Sequence, residues 1–98
     1  MITAKSIERS LNKEIFKMDE IRNKIIEILN EIVPEVDNDE LENNKELVHS
    51  GVLNSFSIVM LIGELSDNFD IEISPQEIVY ENFDSLDGLT AMVKRLSE

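Results

Sequence analysis

The sequence predicts an all-α protein: a bundle of four helices, three long and one short, with a long loop between the first and second helices. Aliphatic residues recur at helical spacing in three stretches, which lie at 19–33, 55–69 and 85–96. Aromatic residues make up only 5% of the chain, so its core has to consist mainly of Leu and Ile, a composition that favours helices over a sheet. A length of 98 residues suffices for one domain with a modest core.

Residues 1–17 carry a basic, amphipathic pattern that separates them from residues 18–98, which we assign to one folded domain. Basic residues recur every four positions, and aliphatic residues recur in the same way on the opposite side. These residues are Lys5, Arg9, Lys13 and Lys17, and Ile7, Leu11 and Ile15. Such a segment can lie on a membrane surface, dock on an acidic neighbour, extend the next helix or fray as a terminus. We expect an extension without a function of its own.

The first predicted helix has acidic residues in its first turn, which suit the helix dipole, and it ends at Pro34. The connection at 35–54 is rich in Asp, Glu and Asn, which invites comparison with a calcium-binding loop. An EF-hand loop starting at Asp37 would need an oxygen ligand where Leu41 stands, so we predict a solvated loop that aliphatic residues pin to the core. His49 is the only histidine, and with no evident acidic partner it is predicted to be an exposed loop residue.

The helix predicted at 55–69 is central to the bundle. Its expected inward stripe consists of Val59, Ile62, Leu65 and Phe69. A second set of apolar residues lies near its start and consists of Phe56, Ile58, Met60 and Leu61. These residues either bury the helix on several sides or form a docking patch for a partner, and the sequence favours neither.

The remaining elements are marked by their end signals. Ser74 as a cap and Pro75 at the first helical position predict a short helix that runs to about Tyr80. A turn is predicted at 81–84, and the last long helix follows it, with Asp84 as its cap.

The charge of the chain restricts its partners. The net charge is −12, and between Lys45 and Lys94 there are nine Asp and Glu but no Lys or Arg. This distribution disfavours nucleic acid and favours basic protein surfaces. No cysteine is present, which excludes disulfides and thiolate catalysis by the chain itself. The uncharged stretches are too short for a membrane span and the N-terminus lacks the pattern of a secretory signal, so we expect a cytoplasmic protein.

No constellation of residues predicts catalysis. Ser55 stands at a predicted helix start, but no G-x-S-x-G turn surrounds it and His49 lies six residues earlier in a loop. The glycine patterns of P-loop and Rossmann proteins are absent, and no spacing of carboxylates singles out a metal site. We therefore expect a protein that is not an enzyme and holds no metal.

The arrangement around Ser55 resembles the acyl carrier protein family, which includes peptidyl and D-alanyl carrier proteins. Residues 50–56, with the sequence SGVLNSF, are similar to the attachment motif G-x-x-D-S-[LMF] of that family. The resemblance extends over 18–96 through Glu-Leu at 64–65, FDIEI at 69–73 and FDSL before the last helix. The order of the helices and the long first loop agree with it.

The resemblance implies an acyl-carrier-type bundle in which a phosphopantetheinyl transferase attaches 4′-phosphopantetheine from coenzyme A to Ser55 Oγ, next to Asn54. An acyl or aminoacyl group would be held on its thiol as a thioester. The implied partners are that transferase, a loading ligase or synthase, and acyltransferases of lipid (including fatty acid), polyketide or peptide-type biosynthesis. The partner-binding residues would be Phe56, Ile58, Met60, Leu61, Glu64 and Asp67. The chain would be a monomeric carrier.

The sequence departs from the family at two positions. Asn54 stands where the family usually has aspartate, so it keeps an acceptor oxygen but lacks the charge expected to assist the Mg²⁺-dependent transferase. The alternative function is therefore a carrier-like interaction module without the arm. Met60 stands where many fatty-acid carriers have an acidic residue, which brings the pattern closest to D-alanyl and peptidyl carriers. Ser85 lies in a second Asp-Ser-Leu tripeptide, but only thirteen residues follow it, so we predict that it starts a helix.

Overall fold

A computed structural model describes residues 18–98, and within this range the chain is helical without any strand. The elements are α1 (Met18–Ile32), α2 (Asn38–Asn43), α3 (Ser55–Phe69), a 3₁₀ turn (Pro75–Glu77), α4 (Tyr80–Phe83) and α5 (Leu86–Ser97). The predicted all-α class is confirmed, including the three long helices. The prediction for residues 1–17 lies outside the described residues.

The core forms where α1 packs against both α3 and α5. Helix α1 buries Ile21, Ile25, Ile28 and Leu29, as its apolar spacing predicted. Helix α5 contributes a matching row, which consists of Leu86, Leu89, Met92 and Val93. An ion pair between Arg22 and Asp87 joins α1 to α5 at the edge of this core.

The predicted inward stripe of α3 was wrong at its start. The buried row is Ser57, Leu61, Leu65 and Phe69, in steps of four residues. Val59 is instead 68% exposed, because at 100° per residue it lies on the far side of the helix from Leu61. The apolar residues on several faces of α3 left its orientation ambiguous, and packing against α1 decides it.

The long connection after α1 is more ordered than the sequence suggested. It contains the six-residue helix α2, capped by Asp37, whose carboxylate accepts a hydrogen bond of 2.8 Å from the Glu40 amide. The aliphatic residues pin it to the core as predicted, with Leu41, Leu47 and Leu53 each fully buried. A polar surface with one buried leucine gave too weak a periodicity to predict α2.

The short helix predicted from Pro75 starts there, with Ser74 at the cap position, but it ends at Glu77 and not at Tyr80, and α4 stands where a turn was predicted. The chain makes one 3₁₀ turn and then becomes extended at Val79 before α4 begins. Asn82 Nδ2 donates a hydrogen bond of 2.8 Å to the Glu77 carbonyl, and the Glu77 carboxylate accepts bonds of 2.7 and 3.0 Å from Arg95 on α5. These contacts fix the bend and lower the pKa of Glu77, chiefly through the Arg95 hydrogen bond.

Helix α5 is capped by Ser85 and not by Asp84. Ser85 Oγ accepts a hydrogen bond of 2.9 Å from the Gly88 amide, as a helix cap does. Helices α4 and α5 approach closely here, since a Cβ atom at Gly88 would lie 2.5 Å from the Glu81 carbonyl oxygen. Asp84 does not cap the helix, and its side chain faces the loop that precedes α3.

Candidate functional site

Ser55 is the first residue of α3 and is exposed to solvent. Asn54 caps the helix: its Oδ1 accepts hydrogen bonds of 2.9 Å from the Ser57 amide and 3.2 Å from the Ser57 hydroxyl. The Asn54 carbonyl accepts a further bond of 2.9 Å from the Ile58 amide. The Ser57 hydroxyl is therefore engaged in a hydrogen bond within the helix cap, whereas the Ser55 hydroxyl lies at the surface.

The loop before α3 sets the position of Ser55. Gly51 adopts a φ of +89°, a left-handed conformation that glycine tolerates without strain, and turns the chain back. The Leu53 amide donates a hydrogen bond of 2.8 Å to the Leu47 carbonyl, and both leucine side chains are fully buried. Ser55 therefore emerges two residues after a core anchor.

The electrostatic environment of Ser55 suits a phosphate ester. The first turn of α3 contains no acidic side chain, in contrast to the first turns of α1, α2 and α5. The N-terminus of a helix carries a partial positive charge and amides that point outwards. A phosphodiester on the Ser55 hydroxyl would meet a favourable dipole and no carboxylate of the first turn.

An open cavity of about 500 Å³ lies beside Ser55. Its other lining residues are apolar or aromatic and come from the loop, α3 and the segment around α4: Val48, Ile58, Ile78, Val79, Tyr80 and Phe83. The sequence did not indicate that the segment at 78–80 reaches Ser55. The available signal was its run of three apolar residues in an otherwise acidic stretch.

His49 is an exposed loop residue, as predicted, but it has an acidic partner that the sequence did not indicate. Its Nδ1 lies 2.5 Å from Asp84 Oδ2, and its ring stacks on Tyr80 with the centroids 4.0 Å apart. Asp84 Oδ1 also accepts hydrogen bonds from the amides of Val48 and His49, at 2.8 and 3.2 Å. Partial burial raises the pKa of Asp84, but the hydrogen bonds from the backbone and ring of His49 outweigh it, so the pKa lies below its ordinary value.

The residues predicted to bind partners do not share one environment. Phe56 is 73% exposed, and Met60, Glu64 and Asp67 are also exposed on α3. Ile58 is partly buried and faces the cavity next to Ser55. Leu61 is fully buried in the core, so its assignment as a contact residue is wrong. The exposed Val59 had been assigned to the core.

Comparison with known proteins gives one match. The family model described as a phosphopantetheine attachment site matches residues 19–93, which is most of the chain and includes both Ser55 and the cavity beside it. The comparisons found no curated protein and no solved structure that matches. None of the helices within residues 18–98 has the length and apolarity needed to cross a membrane.

Proposed function

Because this chain belongs to the family of carrier proteins with a phosphopantetheine attachment site, we propose that Ser55 is the attachment residue and that the cargo is an acyl or aminoacyl group. Domains of this family carry a covalently attached 4′-phosphopantetheine and are carriers, not enzymes. The group supplies a thiol on which a cargo is held as a thioester. The observation that carries the proposal is the exposed Ser55 hydroxyl at the start of α3.

Two other serines are less suited to attachment. Ser57 is only 7% exposed, and its hydroxyl is hydrogen-bonded to Asn54. Ser85 Oγ accepts the capping bond from the Gly88 amide, so its modification would disturb the start of α5. Ser55 makes no such contribution to the fold.

Asn54 caps the N-terminus of α3, where Ser55 is exposed. Its neutral side chain supplies the capping oxygen without a charge. By resemblance to family members with aspartate here, we infer that the transferase modifies this chain more slowly than it would an Asn54→Asp variant. The capping geometry itself supports retention of the attachment function.

The exposed residues of α3 are proposed to form the partner surface. Glu64 and Asp67 would steer basic partner enzymes over long range, since the surrounding sequence has no cation between Lys45 and Lys94. Phe56 and Met60 would make the short-range apolar contacts near the attachment point. The partners would be a phosphopantetheinyl transferase and the ligases, synthases and acyltransferases that load and unload the carrier.

The cavity beside Ser55 bears on the cargo. Its described lining contains no charged residue, so it suits an uncharged acyl group better than the ammonium of an aminoacyl group. We propose that an acyl cargo packs against Ile58 and Tyr80, whereas an aminoacyl cargo stays in solvent.

The test is the intact mass of the purified protein after incubation with coenzyme A, Mg²⁺ and a broad-specificity phosphopantetheinyl transferase. The expected result is a gain of one phosphopantetheine in the native chain and in Ser85→Ala, but none in Ser55→Ala. Modification of a folded Ser55→Ala variant would overturn the assignment of Ser55. Circular dichroism of each variant controls for the fold.

A further inference from the structure

A second groove lies on the side of α3 that faces the end of α1. Its volume is about 410 Å³, and its apolar floor consists of Ile32, Val59, Met60 and the backbone at Gly63. A Cβ atom at Gly63 would meet nothing within 4 Å, so the backbone of α3 is open to close approach at this point. Val59 is the most exposed aliphatic residue of α3, and no element within residues 18–98 covers it.

The rim of this groove is acidic. It consists of Glu31, Glu64 and Asp67, and all three side chains are exposed. Among residues 18–98, the ion pairs of Arg22, Lys45, Lys94 and Arg95 go to other carboxylates. An occupant of this groove therefore needs an apolar side and several cations.

We propose that the segment at 1–17 docks in the groove through its first eleven residues, with Ile7 and Leu11 on Val59 and Met60 and with Lys5 and Arg9 on the acidic rim. The segment contains four of the nine Lys and Arg and only two of the twenty-one Asp and Glu. Its aliphatic residues (Ile7, Leu11 and Ile15) alternate with its cations (Lys5, Arg9, Lys13 and Lys17) at the same four-residue spacing. Its charge and its apolar pattern both complement the groove.

The chain length permits this contact. The segment joins the fold at Met18, and the groove begins about 20 Å away, at Glu31 near the other end of α1. When extended, the six residues at 12–17 would span about 20 Å, which is enough to bring residues 1–11 to the groove. Covalent attachment also gives the segment a high effective concentration at the groove, which a separate partner of the same charge does not have.

The docked segment would cover Val59 and Met60 and neutralise Glu64 and Asp67. On the proposed function, these residues belong to the surface that receives basic partner enzymes. The segment and such a partner would therefore compete for the same residues of α3. This consequence rests on the proposed function, but the contact itself does not depend on the prosthetic group.

Paramagnetic relaxation in the unmodified full-length protein tests the contact. Because the chain contains no cysteine, Thr3→Cys provides a single position for a nitroxide label. We expect the amide signals of Val59, Met60 and Gly63 to lose about half of their intensity or more, whereas those of α5 keep theirs. The double variant Glu64→Lys, Asp67→Lys is expected to abolish the loss. The matched control Glu42→Lys, Glu72→Lys makes the same charge change on exposed residues elsewhere and is expected to retain it.

Three outcomes would overturn the proposal. The first is equal intensity at the groove and at α5. The second is a loss that both double variants reduce alike, which would indicate general attraction to an acidic protein. The third is a loss seen only when labelled protein is mixed with unlabelled, isotope-enriched protein, which would assign the groove to a second copy of the chain.

Discussion

The side chains of His49 and Asp84, which lie 35 positions apart in the chain, meet at 2.5 Å and join the loop before Ser55 to the bend between α4 and α5. The Asp84 carbonyl strengthens the same junction by accepting a hydrogen bond of 2.7 Å from the Leu47 amide. The stack of His49 on Tyr80 brings the junction to one wall of the cavity beside Ser55. The position of the loop before Ser55 therefore depends on the bend as well as on the core.

Asp84→Asn is expected to lower stability most at neutral pH. The folded protein lowers the pKa of Asp84, so ionisation of this residue stabilises the fold above its unfolded pKa of about 3.9, and this contribution is lost as the pH falls through the lowered folded value. Urea unfolding at pH 7 and at acidic pH, in the native chain and in the variant, measures the difference. The stability gap between the two proteins should shrink on acidification.

Asp70→Asn is the control for the Asp84 experiment, because Asp70 is an exposed aspartate that ends α3. Asp70→Asn should lower the free energy of unfolding at pH 7 by less than Asp84→Asn does. If the difference in unfolding free energy between Asp84→Asn and the native chain is constant or widens towards low pH, the charge of Asp84 does not have the assigned role.

Substitution of Asn54 is expected to separate helix capping from modification. Asn54→Ala removes the acceptor for the Ser57 amide and should lower the unfolding free energy by about 1 kcal/mol. Asn54→Asp keeps the acceptor and should preserve stability while it speeds transfer of phosphopantetheine to Ser55. Chemical unfolding and the time course of the mass change measure the two effects. An Asn54→Asp variant that is modified no faster than the native chain would show that a charge at this position does not limit the transferase.

Gly88→Ala is expected to destabilise the protein by about 1–3 kcal/mol, because its Cβ would lie 2.5 Å from a backbone carbonyl that cannot swing aside as a side chain does. Gly63→Ala is the matched control in the middle of α3, where the new Cβ meets no atom within 4 Å. It should not destabilise the protein, since alanine favours a helix more than glycine does. Urea midpoints of the two variants provide the comparison, and equal losses would argue against the close approach of α4 and α5.

Tyr80 offers a direct probe of cargo position. It is the only tyrosine, and the chain has no tryptophan, so the intrinsic fluorescence comes from a residue that lines the cavity and is 58% exposed. Loading a medium-length acyl group through Ser55 should reduce quenching of this fluorescence by acrylamide, because the acyl group covers the ring. Loading an aminoacyl group should leave quenching unchanged. Equal quenching in both loaded forms would contradict the proposed packing of an acyl cargo in the cavity.

The long helices were predictable from the sequence because each carries a repeated local signal. The four isoleucine and leucine residues buried by α1 could be named from their spacing alone. Helix α3 was placed correctly, but apolar residues on several faces concealed which face packs inwards, and Val59 and Leu61 were exchanged as a result. The local sequence was enough to predict the helix, but the rotation of the helix about its own axis depends on the neighbouring helices.

The candidate site was predictable at Ser55 and not around it. A helix start with a capping residue has a short sequence signature, and Asn54 and Ser55 carry it. The cavity and the junction of His49 with Asp84 arise from segments about thirty residues apart, which no local pattern brings together. The end of the 3₁₀ turn and the helix α4 were missed for the same reason, since contacts such as the one from Asn82 to Glu77 hold them.

The three buried leucines of the connection after α1 have a consequence for protein engineering. Leu41, Leu47 and Leu53 divide a connection of more than twenty residues into short spans, each fixed at both ends. A peptide tag inserted at 42–46, a mostly exposed span, would break local hydrogen bonds of Asn44 but leave the later buried leucines, and with them Ser55, in place. The same tag between Leu47 and Leu53 would lengthen the turn that their hydrogen bond closes, directly before Ser55. The first span is the place for a fluorescent or affinity label on a working carrier.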